Sequence, residues 1–196
     1  GREAIRAVLT AVAGLWREEQ PELYRHVHPH GHATAKLARA FASFLGCAGG
    51  RGWPTLDEID LGAQLHDVGK YLLAKSILLK PGPLDTGERA TVSLHPIYGA
   101  QILSRLPPVT DPVRRVVLYH HERWDGDGYP EGLHGTAIPP AARLVCIADV
   151  YTSLRARRAY KPMYTRGEAA REMRRMAGRE LDPDMTRDFL KFISAS

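Results

Sequence analysis

The 196-residue sequence has few of the features that mark membrane, secreted or redox-active chains. Its two cysteines, Cys47 and Cys146, lie far apart with no CxxC spacing that would mark a zinc or redox site, and both fall in apolar helical patterns that read as buried core. The longest apolar runs, such as Leu144 to Ala148, fall far short of the roughly 20 residues needed to span a membrane. No signal-peptide apolar region opens the chain, so cytoplasm is the simplest compartment. Alternating apolar and polar residues, the signal of a half-buried strand, are missing throughout. The expected fold class is all-α.

What is present fits one globular domain, with 44% hydrophobic and 25% charged residues. A formal net charge of +5 suits an anionic ligand such as a nucleotide, and equally suits plain solubility. The basic residues cluster late, at Arg155, Arg157, Arg158 and Lys161 and again at Arg171, Arg174 and Arg175. The chain opens at Gly1 with a helix under way by Glu3, as a piece of something longer would.

Helical spacing sets out the elements in order. Ile5, Val8, Leu9, Val12 and Leu15 predict a helix over 3–18, and Leu37, Ala38, Phe41, Phe44 and Leu45 predict one over 32–45 that Gly46 stops. Thr55 with Glu58 forms a capping box for a helix running to His66, and Asp85 with Glu88 restarts the chain after Pro81-Gly82-Pro83. Pro96 allows a helix to start beside His95, while Asp111 as N-cap with Pro112 behind it opens a helix ending at His120 and His121. A glycine- and proline-rich stretch from Glu122 to Pro140 predicts a functional loop. Helices follow from Pro140 to Leu154, from the Thr165/Glu168 box to Gly178, and from Asp182-Pro183 onward.

Six of the nine histidines and two aspartates fall near helix ends or loops, where several elements converge, and that pattern suggests a metal. His66-Asp67 offers an imidazole and a carboxylate on successive positions, although the pair taken alone also suits Asp67 as a helix cap and His66 as core. Adjacent imidazoles at His120-His121 repel when protonated and improve packing little, so ligation is the better reading. The glycines of Asp125-Gly126-Asp127-Gly128-Tyr129-Pro130 suit a turn, and directly after the histidine pair they also let backbone approach a ligand.

Taken together, His66-Asp67-Val68-Gly69-Lys70, His95-Pro96, His120-His121-Glu122-Arg123-Trp124-Asp125-Gly126-Asp127-Gly128-Tyr129-Pro130 and Ala148-Asp149-Val150 resemble the HD-GYP family in order and spacing, over roughly residues 28–192. The resemblance implies an HD-domain helical bundle with additional C-terminal helices. It implies division into an N-terminal helix over 1–27, the end of a connection from an upstream domain, and a catalytic domain over 28–196. The implied activity is hydrolysis of cyclic di-GMP to pGpG and onward to GMP, at two divalent ions, iron or manganese. One ion would be held by His30, His66 and Asp149, the other by His95, His120 and His121, with Asp67 bridging. Imidazole and carboxylate donors without thiolate suit those metals, and two such ions can activate a hydroxide and steady phosphoryl oxygens. By the same resemblance Lys70 serves catalysis and the phosphate, and Tyr129, Arg158 and Lys161 contact substrate. Implied partners are an upstream sensory or receiver domain and signalling proteins met through the GYP loop, with no DNA.

The sequence departs from the family in two places. His26 stands where some members carry a glutamate and a third ion, which favours two ions here, and Thr152 stands where a second aspartate usually follows Asp149. His28 and His30 both qualify as the first donor, and counting back from Leu45-Gly46 favours His30. His134 reads as loop surface. A weakly catalytic nucleotide receptor, or a phosphodiesterase for another cyclic nucleotide, is the alternative.

Overall fold

The computed structural model of the chain describes residues 2–50, 52–156 and 163–195. Within them the helical periodicity becomes α1 (Arg2–Glu19), α2 (Pro21–Leu45), α3 (Leu56–Leu65), α4 (Lys75–Leu78), α5 (Thr86–Val92), α6 (His95–Ser104), α7 (Asp111–Tyr119), α8 (Pro140–Arg155), α9 (Arg166–Met176) and α10 (Pro183–Ala195). Short 3-10 turns cover Val68–Leu72 and Gly135–Ala137. Among the described residues the one β feature is a bridge between Ala177 and Leu181, and the fold is all-α as expected.

Local chemistry sets most boundaries. The capping boxes at Thr55/Glu58, Asp85/Glu88 and Thr165/Glu168 all form, with side chain and backbone bonded in both directions. Gly46 ends α2 in the left-handed region at φ 62°, a conformation that costs glycine little. Two boundaries differ from expectation. Thr110, with extended backbone, is the N-cap of α7, and Asp111 sits inside the first turn paired to Arg114 at 3.3 Å. More consequentially, α2 begins at Pro21 instead of near residue 32, and position 27/28 falls inside it. Residues 21–31 carry too few apolar side chains to show a period, and Pro29 removes one ladder bond, but burial of Leu23 supports the segment as helix.

Two apolar clusters flank the histidines. One joins Phe41, Ile59, Leu144, Ile147, Met173 and Phe189, drawing on α2, α3, α8, α9 and α10. The other joins Leu61, Leu65, Val68, Leu103, Val113 and Val117, with Leu9, Val12 and Trp16 of α1 laid against it. Helix α8 buries Ala141, Ala142, Leu144, Val145, Ile147 and Ala148, nearly all round its axis, as a central helix should. The free thiols Cys47 and Cys146 are packed against the first cluster yet half-buried, less enclosed than their apolar settings predict.

Candidate functional site

Three of the histidines share one construction. His66 is the C-cap of α3, His120 the C-cap of α7, and His95 opens α6 just beyond the end of α5. The last carbonyls of a helix have no partner within it. Here the Nδ1–H groups of His66, His95 and His120 donate to the carbonyls of Ala63, Val92 and Val117, three residues back, at 2.7, 2.7 and 2.8 Å. A carbonyl can only accept, so Nδ1 carries a proton in each ring and Nε2 faces inward.

Those inward nitrogens meet at close range. His95 Nε2 and His120 Nε2 lie 3.3 Å apart, and His95 Nε2 lies 3.2 Å from Asp67 Oδ1. His66 Nε2 stands 3.4 Å from the other oxygen, Asp67 Oδ2, and 3.9 Å from Asp149 Oδ1, which in turn is 2.7 Å from His30 Nε2. The donors form two groups, Asp67, His95, His120 and His121 in one and His30, His66 and Asp149 in the other, and within each group the donor atoms lie within 4.8 Å of one another. The two oxygens of Asp67 thus face different groups.

The tautomers show that this arrangement fits cations. Two neutral Nε2 lone pairs 3.3 Å apart repel unless positive charge lies between or beside them. The Nε2 of His66 and the Oδ1 of Asp67 are buried and make no hydrogen bond, an expensive state for a polar atom. The donor set of imidazoles and carboxylates suits a divalent transition metal.

The electrostatics agree. Burial opposes ionising Asp67, yet Lys70 and His66 hold its carboxyl well below the usual carboxylate range. Asp149 is likewise pushed up by burial and brought below its ordinary value by the bond from His30 and the charge on His66. Burial works against a proton on His66, but Asp67 and Asp149 raise its pKa to about 9. Burial and neighbouring imidazoles drive the other way at His120, well below the ordinary histidine value, and at His121, down to about 3. The site therefore holds ionised carboxylates and a charged His66 beside neutral His120 and His121.

Each predicted donor from His30 to Asp149 is brought to this centre. The choice between His30 and His28 resolves geometrically, because His28 stacks on Tyr24 with ring centroids 4.6 Å apart while His30 reaches Asp149. Asp67 precedes the 3-10 turn without capping it through its side chain, contrary to the cap reading. Lys70 sits on that turn and reaches Asp67 Oδ2 at 2.6 Å. Arg158 and Lys161 lie outside the described residues. His134 is exposed, as read. Thr152, in the place of the family's second aspartate, donates into its own helix and lies 2.9 Å from the buried Thr34 hydroxyl, tying α8 to α2.

Tyr129 does not sit on an open loop. Its ring stacks on His121 with centroids 4.8 Å apart, and its N–H donates to the His121 carbonyl. Glu122, which the sequence reading left without a role, explains this packing: its buried carboxylate accepts the N–H groups of Glu131 at 2.8 Å and Leu133 at 2.9 Å, clamping the loop closed. Gly128 is obligatory there, since a Cβ would stand 2.3 Å from the Arg123 nitrogen. Arg143 completes the clamp by pairing with Asp182 and lying 5.7 Å over the Trp124 ring. A cleft of about 620 Å³ opens beside the centre, lined by Lys70, Lys80, Leu84, His121, Asp149 and Ser153 among others. Lys80 and Ser153 were also missed; Ser153 shows its signal in lying four residues after Asp149, one helical turn on, where its hydroxyl is 3.4 Å from the carboxylate.

Comparison with known proteins agrees with this geometry. The HD domain family matches residues 23–185. A cyclic di-GMP phosphodiesterase of Thermotoga maritima is 35% identical over 171 residues, covering 87% of this chain and 44% of that protein. A 3'3'-cGAMP-specific phosphodiesterase of Vibrio cholerae is 40% identical over 130 residues, covering 66% of this chain and 25% of that one. The chain thus spans between a quarter and under half the length of these relatives. Among solved structures, a HDG"Y"P protein from Bdellovibrio bacteriovorus shares the fold with a TM-score of 0.68 at 23% identity, over 86% of this chain and 52% of that one. With the match running from the first turn of α2 into α10, the chain belongs to the HD-domain family, on its HD-GYP branch.

Proposed function

We propose that this domain is a metal-dependent phosphodiesterase that opens cyclic di-GMP to linear pGpG and carries it on to GMP, at two divalent ions of iron or manganese. The observation that carries the reading is the convergence of two donor groups on the two oxygens of Asp67. His30, His66 and Asp149 would hold one ion and His95, His120 and His121 the other, with Asp67 between them. Ions held there supply Lewis acidity toward a phosphoryl oxygen and lower the pKa of water.

The remaining work falls to the chain. The three carbonyl-bonded imidazoles keep their donor atoms aimed without rearrangement, as an oriented second layer does in metal sites. Lys70, at the cleft wall and 2.6 Å from Asp67, presents positive charge to a substrate phosphate as negative charge builds on it. Arg158 and Lys161 would add to that charge, and Tyr129, half-buried against His121, would offer its ring to the substrate. An upstream sensory or receiver domain, and signalling partners meeting the Glu122-clamped loop, belong to the same reading, as does a cytoplasmic location.

Incubation of the manganese- or iron-loaded chain with cyclic di-GMP under reducing conditions tests this, with products separated chromatographically. Turnover to pGpG, abolished in Asp67→Ala and His66→Ala, is the expected result; no turnover with either metal removes the claim. The relatives named for 3'3'-cGAMP favour a second substrate, so the same assay run with that nucleotide decides the preference. Tight nucleotide binding without turnover would instead mark a receptor.

A further inference from the structure

Asp67 and Lys70 are carried by a single turn of 3-10 helix, a conformation with poorer hydrogen bonds than an α-helix. The bonds across its two ends, Lys70 N–H to Asp67 O and Leu73 N–H to Lys70 O, both 3.0 Å, are local and tie it to no other element. Neighbouring elements therefore have to hold it. On the inner side α6 comes so near Gly69 that a Cβ there would stand 1.9 Å from the His95 carbonyl oxygen. The outer side is held by α1. The indole of Trp16 lies flat on the ring of Tyr71, centroids 3.9 Å apart and planes within 8° of parallel. One turn further on, Gln20 Nε2 donates to the Tyr71 carbonyl at 3.0 Å.

Tyr71 directly follows Lys70 in the chain and is buried. Burial above all, then Tyr24 and the Asp67 carboxylate, push its hydroxyl above the ordinary tyrosine value, so the ring lies within the field of Asp67. Leu9 and Val12 already anchor α1 on the apolar cluster of Leu61 and Val68. The Trp16 stack and the Gln20 bond are additional, and both fall on Tyr71.

We propose that Trp16 and Gln20 are positioning residues for Asp67 and Lys70, acting through Tyr71. The α6 contact at Gly69 fixes the depth of the turn, and the α1 contacts fix its rotation, which sets the alignment of Lys70 with Asp67. His66, His95 and His120 are oriented independently of α1, by carbonyls three residues back at the ends of α3, α5 and α7, so releasing α1 leaves those donors in place. The kinetic consequence rests on the phosphodiesterase reading, while the structural consequence does not.

The test compares the full chain with Trp16→Ala, Trp16→Phe and Gln20→Ala, each loaded with manganese. Hydrogen exchange is followed by mass spectrometry over residues 68–73 and over α6, alongside metal content and turnover of cyclic di-GMP. Expected are exchange in 68–73 accelerated about three- to tenfold in both alanine variants, α6 and manganese content unchanged, and recovery in Trp16→Phe, which keeps a ring on Tyr71. The rate constant kcat is expected to fall by a similar factor. Unchanged exchange in both alanine variants overturns the proposal, and so does accelerated exchange with undiminished kcat. Should Trp16→Ala fail to fold, Gln20→Ala decides alone. Absence of turnover in the parent chain would sink the phosphodiesterase reading, and exchange would then decide whether α1 holds the turn.

Discussion

The clamp at Glu122 makes a quantitative prediction. Its carboxylate is 3% exposed and accepts two backbone N–H groups at 2.8 and 2.9 Å. Hydrogen bonds to a charged group contribute about 1.5–3 kcal/mol each. The donors belong to a loop that water can reach after truncation, so the lower figure applies, and Glu122→Ala is expected to cost about 3 kcal/mol. Glu122→Gln keeps one acceptor oxygen and is expected to cost about half of that. An unfolding entropy of about 2.1 cal/mol/K per residue over the chain turns these costs into Tm losses of roughly 7 and 3–4 °C. Differential scanning calorimetry on metal-free protein measures both, and because the loop seats Tyr129 on His121, Tyr129 fluorescence should change in step. The reasoning is refuted if the alanine and glutamine variants melt together, or if neither melts below the parent, since the carboxylate would then not be what closes the loop.

Other expectations follow from the same geometry. Metal loading should release about one proton per chain at pH 8, because His66, with a pKa of about 9, carries a proton that a donor must lose, whereas His120 and His121 are already neutral. Manganese titrations in two buffers of different ionisation heat would measure it, the release should fade as pH rises through about 9, and a count of three would contradict the charge assignment. The sign carries over to stability: His66, with a folded pKa above the unfolded value of 6.5, contributes stability that is full below pH 6.5 and lost as pH passes about 9, while depressed His120 and His121 oppose it below 6.5. Gly69→Ala, which drives a Cβ to 1.9 Å from backbone, should lower the denaturant midpoint by an amount equivalent to about 3 kcal/mol and cut metal content at the same time. Arg143→Lys, losing the planar fork between Asp182 and the Ile138 carbonyl, should cost about 1–3 kcal/mol in the same assay, and equal stability would show that charge alone suffices.

Much of the fold was legible because its signals are local. Three capping boxes and Gly46 mark helix ends through their own side chains or φ, and the order of HD, HH and the glycine-rich loop placed the donors. The choice of His30 over His28 needed helical register alone, counted back from Gly46. What stayed hidden depends on tertiary context. The first half of α2 has no apolar period to read, and the burial of Leu23 shows only in the folded chain. Glu122 is a single acidic residue in a polar loop, and nothing local says that its carboxylate folds inward onto the backbone nine and eleven residues on. The stacking of Tyr129 on His121 was hidden for the same reason. Half-buried Cys47 and Cys146 show that an apolar neighbourhood in sequence does not fix depth in space.

The bonds from the three histidines to main-chain carbonyls have a consequence for how such a centre can change. In many metal sites the group orienting an imidazole is a carboxylate side chain, which mutation can remove or retune. Here the acceptors at Ala63, Val92 and Val117 are backbone atoms, present whatever residue occupies those positions. No single substitution at an acceptor can delete the orienting bond, and the aim of each donor is set by the helix end three residues before it. Variation in metal preference or reactivity therefore has to enter elsewhere, through His30, His121, Asp149 and the turn bearing Asp67, leaving the three buried imidazoles as the part of the centre least open to drift.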